Sequence, residues 1–115
     1  MDIPSIPELV ERHLWAARAA EHGRSAELII HDGVLRQTLL ALASGSRLSE
    51  HNAPPAASLQ VLLGRIALTT ESGEMELSSG QISRIPQERH GVEAREDSVF
   101  LLTAVTSVPE ELRAP

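Results

Sequence analysis

Near its start, the chain places apolar residues at the spacing of an α-helix. Between residues 5 and 22 one face is mostly apolar, with Leu9, Val10, His13, Leu14, Ala17 and Ala20. Ser5 followed three residues later by Glu8 is the pattern of a capping box, and Gly23 is a typical helix terminator. The sequence predicts one helix over 5–22, whose alanine-rich face packs flat against a sheet or a partner subunit.

After residue 23 the pattern changes to short apolar runs separated by turn residues. Asp32-Gly33 between two such runs is typical of a β-hairpin, and the prolines within 52–56 predict a loop. Further short runs follow at 59–63, 66–70, 75–77, 82–85, 92–94 and 98–105. Strands spaced by roughly 8 to 12 residues predict an all-β sandwich or barrel. We expect a helical segment over 1–24, a barrel over 25–108 and a polar tail over 109–115.

Composition narrows the classes of partner. The 115 residues fit one domain, and the chain has no cysteine, so thiolate metal sites and disulfides are excluded. The net charge is −6, all ten cationic residues are arginines spread singly, and Trp15 and Phe100 are the only aromatic residues. Nucleic-acid binders need clustered positive charge and aromatic platforms, so we expect no nucleic-acid partner and no binding to anionic membranes. The start shows no signal-peptide pattern, and we expect a cytoplasmic protein.

Two glycine-bounded blocks stand in the middle of the chain. The first runs over 45–64, begins and ends with glycine, and carries His51 after five intervening residues. The second begins at Gly80, carries Pro86 after five intervening residues, and ends at His90. Each block therefore combines the glycines of tight turns with one histidine.

These blocks resemble the two motifs of the cupin superfamily, specifically the small single-domain cupin-2 type. In the second block, His90 comes one position earlier than the family pattern asks. The resemblance covers roughly residues 34 to 105. It implies a cupin jelly-roll β-barrel with one N-terminal α-helix, a pocket inside the barrel and a homodimeric assembly.

The ligand positions of the family are only partly present. The resemblance implies a metal held by three histidines and a glutamate, of which His51 and His90 match two. Ala53 stands at the position of another histidine, and Ala57 stands at that of the glutamate. We therefore expect a degenerate or weak site for a divalent transition metal, because a firm site needs three or four protein ligands.

Arg36 is a further candidate, because it lies in the middle of an apolar run. A small sheet favours the solvent face for such a residue; if Arg36 instead faces the interior, its guanidinium suits a carboxylate or phosphate. We take Arg36, His51 and His90 as candidate ligand-binding residues.

Three functions remain open. The first is binding of a small molecule in the barrel, and the alternative is a metal-dependent enzyme of the dioxygenase or isomerase type that uses His51 and His90. The third is an interaction module that assembles through the helix and the outer sheet. The sequence leaves catalytic activity undecided, because one fold hosts many functions.

Overall fold

The computed structural model describes residues 3–51 and 53–106, with the backbone alone at positions 50 and 51. The expected tail over 109–115 lies outside these ranges. Within them the chain forms one helix, α1 (Ile6–Ala19), and nine strands. The strands are β1 (Arg24–Asp32), β2 (Leu35–Leu42), β3 (Arg47–His51), β4 (Ala56–Leu63), β5 (Arg65–Thr70), β6 (Gly73–Ser78), β7 (Ile82–Arg84), β8 (His90–Ala94) and β9 (Ser98–Val105).

The strands form two antiparallel sheets packed face to face. The first sheet has the order β1-β2-β9-β4-β7, and the second has the order β3-β8-β5-β6. Alternate residues of both sheets meet in one apolar core, which contains Leu40, Leu42, Leu59, Val61, Ile66, Leu68, Leu77, Ile85, Val92, Ala94 and Phe100. This arrangement confirms the prediction of an all-β jelly-roll barrel with one N-terminal helix.

Helix α1 covers the outer face of the first sheet. Its Leu9 and Ala17 pack with Leu39, Ala41 and Val99 of β2 and β9 in a second apolar cluster. Strand β2 is consequently buried on both faces along its C-terminal half. The sequence prediction that the helix lies flat against a sheet is confirmed. No helix in the described ranges is long and apolar enough to cross a membrane.

The ends of the helix differ from the prediction. Ser5 is the N-cap residue, but its side chain makes no capping hydrogen bond, so the predicted capping box with Glu8 is wrong. The helix ends at Ala19, because Ala20 is extended and the chain turns there to enter β1. The carbonyl of Gly23 accepts a hydrogen bond from the Ala43 N–H at 2.8 Å, so this glycine belongs to the sheet connection.

One end of the barrel is closed around Ser98. The Ser98 hydroxyl accepts a hydrogen bond from the Arg65 N–H at 2.9 Å and lies 2.7 Å from the Glu96 carbonyl, to which it can donate. This contact joins the start of β9 in the first sheet to the start of β5 in the second. The opposite ends of the two sheets therefore lie together at the other end of the barrel.

Candidate functional site

Arg36 lies on the inward face of the first sheet, at the end away from Ser98. Residues two apart in a strand share a face, and Leu40 of the same strand belongs to the core between the sheets. Counting back from Leu40 places Arg36 on this inward face, and its side chain is half-buried. The sequence favoured the solvent face for Arg36, but in the structure Arg36 occupies the inward face.

Small residues stand beside Arg36 on the neighbouring strands. Arg36 pairs with Ala104 of β9, and Ala104 pairs with Ala57 of β4. One step deeper, Leu102 and Leu59 form the next inward-facing level, and Leu59 is fully buried. Arg36 thus shares an inward-facing level with Ala104 and Ala57, next to the apolar level of Leu59 and Leu102.

The second sheet contributes His90 and Thr70 at the same end. The two residues are register partners on β8 and β5, and each lies two positions from a core residue, Val92 and Leu68 respectively. His90 is 2% exposed, and its Nδ1 lies 3.2 Å from the Glu88 carbonyl oxygen. Because a carbonyl only accepts, this contact assigns the hydrogen to Nδ1, and in the neutral ring Nε2 is then the acceptor.

The other predicted histidine meets His90 through the backbone. In the β3–β8 pair, His51 is the Cα register partner of His90. The side chain of His51 lies outside the described atoms. The structure thus brings the backbones of the two motif histidines together and places Arg36 on the facing sheet at the same end. We call this region, with its inward-facing residues Arg36, Ala57, Thr70, His90 and Ala104, the His90 end.

Two hydrogen-bonded loops fix the rim of the His90 end. The Gln87 amide donates to the carbonyls of Pro54 and Pro55 at 2.7 and 2.9 Å. The Glu88 carboxylate accepts from the N–H and hydroxyl of Ser72 at 2.9 and 2.8 Å. The hydrogen bond from the Ser72 hydroxyl is the largest cause that lowers the pKa of Glu88 below its ordinary value. The loop between β7 and β8 is therefore held to both neighbouring loops.

A cavity of about 190 Å³ lies along this rim. It is lined by Leu68, Thr70, Ser72 and Pro86, together with residues 73–75 of β6. The sequence analysis did not identify Thr70. The period of two along β5, counted from the apolar Leu68, would have placed Thr70 on the inward face.

The donor set does not fit the four-ligand metal centre that the resemblance implies. Ala57, at the position of the family glutamate, packs its methyl group against the core on the inward face and offers no ligand atom. Among the side chains that the structure describes, no group of three or more His, Asp or Glu residues is placed to hold a metal ion. His90 supplies one imidazole at this end, and the backbone of His51 lies opposite it.

Comparison with known proteins settles the fold. No protein-family model and no curated protein matches the sequence. A conserved protein of unknown function from Streptococcus pyogenes superposes with a TM-score of 0.70 and 21% identity, over 78% of this chain and 80% of that one. A cupin superfamily protein from Desulfitobacterium hafniense gives 0.68 and 14%, over 73% and 78%. The chain has the cupin fold.

A longer chain that also superposes is a mutant of salicylate 1,2-dioxygenase from Pseudoaminobacter salicylatoxidans. It gives a TM-score of 0.73 at 16% identity, over 85% of this chain but 33% of the dioxygenase. At these identities the similarity concerns the fold alone. What this cupin-fold chain does has to be argued from its own residues.

Proposed function

We propose that this protein binds a small organic anion, of the carboxylate class, at the His90 end. The observation that carries the proposal is the level formed by Arg36, Ala104 and Ala57 across three strands of the first sheet. A half-buried arginine that shares its level with two alanines offers an anion partner among small neighbours. Burying a charge is costly unless it is paired, so an anionic ligand completes this arrangement.

Each part of the ligand has a matching surface. The guanidinium presents two parallel donors that fit the two oxygens of a carboxylate. The apolar floor of Leu59 and Leu102 suits a short hydrocarbon chain or ring. We therefore favour a small carboxylate with an apolar body.

A thermal-shift series tests this function. Aliphatic, hydroxylated and aromatic carboxylates are compared with their primary amides, which keep the shape and lose the charge. A ligand that binds the native state raises stability by RT ln(1 + [L]/Kd), so a carboxylate of the right class should raise the melting temperature while its amide does not. If no carboxylate stabilises the protein more than its amide, the proposed class of ligand is wrong.

The second candidate is metal-dependent catalysis of the dioxygenase or isomerase type. It is favoured by the register of His51 opposite His90 and by the fold shared with a salicylate dioxygenase. Metal analysis of untagged protein distinguishes the two functions. Near-stoichiometric metal that is lost in His51→Ala and His90→Ala, but kept in the exposed control His22→Ala, would support catalysis. Carboxylate binding that survives treatment with a chelator would support the first proposal.

A further inference from the structure

Helix α1 presents an aromatic side chain to solvent. Trp15 is the single tryptophan of the chain, and it is 74% exposed. The opposite face of the helix packs Leu9 and Ala17 against the first sheet, and Trp15 is not part of that cluster. Isolated apolar residues are common on protein surfaces, but tryptophan is among the residue types most enriched at the centre of interfaces. The neighbours of Trp15 show which of these two cases applies.

A groove runs along this exposed face of the helix. Its volume is about 480 Å³, and it is lined by Glu8, Glu11, Arg12, Leu14, Trp15 and Arg18. Trp15 follows Glu11 by four residues and Glu8 by seven, which places the three side chains in one row along the helix. With a rise of about 1.5 Å per residue, this row is about 10 Å long. The groove therefore combines one indole ring with two carboxylates.

The free charge of the groove is negative. Its two arginines are already paired with carboxylates outside the helix, Arg12 with Glu27 at 2.6 Å and Arg18 with Asp97 at 2.7 Å. Within residues 3–51 and 53–106, neither glutamate of the groove forms an ion pair. Unpaired carboxylates beside an exposed indole repel phosphate-bearing partners such as nucleic acids and anionic membranes, and they attract a cation.

We propose that this groove binds an extended segment of a partner protein that carries two arginines. A guanidinium stacks on an indole face and pairs with a carboxylate at the same time, which an ammonium does less well. One arginine of the segment stacks on Trp15 and pairs with Glu11, and the second arginine pairs with Glu8. In a polyproline II segment, residues three positions apart share one side and are separated by about 9 Å, which matches the length of the row.

The probe that tests this proposal is a capped peptide in which two prolines separate two arginines. Trp15 is the only tryptophan and the chain has no tyrosine, so the intrinsic fluorescence reports on the groove itself. Titration of the full chain should give a saturable change in tryptophan emission. The same peptide with citrulline in place of arginine keeps its shape and loses its charge, and it should give no such change. A peptide with only one proline between its arginines should bind more weakly, because its arginines do not share one side.

Variants of the protein test the role of the carboxylates. Because an exposed ion pair contributes little, Glu11→Gln should weaken binding of the arginine peptide about two- to fivefold, and the double variant with Glu8→Gln should weaken it further. Glu71→Gln is the matched control, since it removes the same charge from an exposed turn of the second sheet, and it should bind like the wild type. Circular dichroism verifies that each variant is folded.

Four results would overturn the proposal. Three of them are the absence of a saturable emission change, an equal change with the citrulline peptide, and equal weakening by Glu11→Gln and Glu71→Gln. The fourth is tryptophan emission that changes with protein concentration when no peptide is present, because it would show that a second copy of this chain occupies the groove.

Discussion

The Glu88 carboxylate accepts hydrogen bonds from both the N–H and the hydroxyl of Ser72, at 2.9 and 2.8 Å. This contact joins the loop that precedes β8 to the turn between β5 and β6. The carbonyl of the same Glu88 lies 3.2 Å from Nδ1 of His90. The orientation of the buried imidazole is therefore linked to a carboxylate at the rim.

The Glu88 contact predicts a pH dependence of stability. The pKa of Glu88 in the folded protein is lowered from its ordinary value of 4.5, with the Ser72 hydroxyl as the largest cause. The contribution of this group is therefore present above the unfolded pKa and is lost as the pH falls through the folded pKa. Glu88→Gln should lower the melting temperature at neutral pH and reduce its loss on acidification between about pH 5 and pH 3.

The neighbouring Glu71→Gln is the control for this measurement, because Glu71 is an exposed carboxylate of the same turn. The melting temperature of the Glu71→Gln variant should equal that of the wild type at every pH. Both variants should still lose stability in acid, because two other carboxylates have lowered pKa values. The pKa of Asp97 is lowered mainly by the Ser44 N–H, and that of Glu27 mainly by His13. Parallel curves for wild type and Glu88→Gln would show that the Ser72 contact contributes nothing to acid stability.

Gly64 should tolerate no side chain. Its φ is +86°, and an added Cβ would lie 2.3 Å from the Asp97 carbonyl and 2.4 Å from the Ser98 hydroxyl. Gly80 has a φ of +89° and nothing within 4 Å of such a Cβ, so it isolates the conformational cost. Gly80→Ala should cost about 1–3 kcal/mol of unfolding free energy, and Gly64→Ala should cost clearly more. Urea denaturation measures both; similar losses would mean that the close approach at Ser98 is unimportant.

His13 attaches the helix to the first sheet. Its side chain is buried, with Nδ1 2.8 Å from the Ser25 hydroxyl and Nε2 2.8 Å from a Glu27 carboxylate oxygen. Removing it leaves both partners without this contact, so His13→Ala should destabilise the protein by about 1–3 kcal/mol. His22→Ala, in the exposed turn after the helix, should be close to neutral. Equal urea midpoints for the two variants would contradict this role of His13.

The strands were predictable because their signals are local. Apolar runs bounded by turn residues predicted the hairpin of β1 and β2 and most later strands within a few residues. The turn itself differs by one position, since Asp32 still pairs with Leu35 and the turn residues are Gly33 and Val34. The helix end was misplaced because a connection to the sheet at Ala43 determines where the chain turns, and helix periodicity contains no information on that contact.

The candidate site was less predictable, because it depends on distant positions. The histidines were found through their motifs, and Arg36 through its place in an apolar run. The inward orientation of Arg36 could have been predicted from its spacing to Leu40 in the same strand. The sequence analysis favoured exposure because charged residues on a small sheet usually face solvent. The contact between Glu88 and Ser72 could not be predicted, because the two residues are far apart in sequence and no local pattern links them.

The central claim is that Arg36 binds the anionic group of a ligand at the His90 end. The most direct measurement is a calorimetric titration of the carboxylate selected in the thermal-shift series into wild type, Arg36→Gln and Arg84→Gln. Arg84 is exposed on β7, where it pairs with Ser58, and it controls for net charge. A hydrogen bond to a charged group contributes about 1.5–3 kcal/mol, so Arg36→Gln should bind about 10- to 150-fold more weakly. Arg84→Gln should bind like the wild type, whereas equal affinity of all three proteins would contradict the claim.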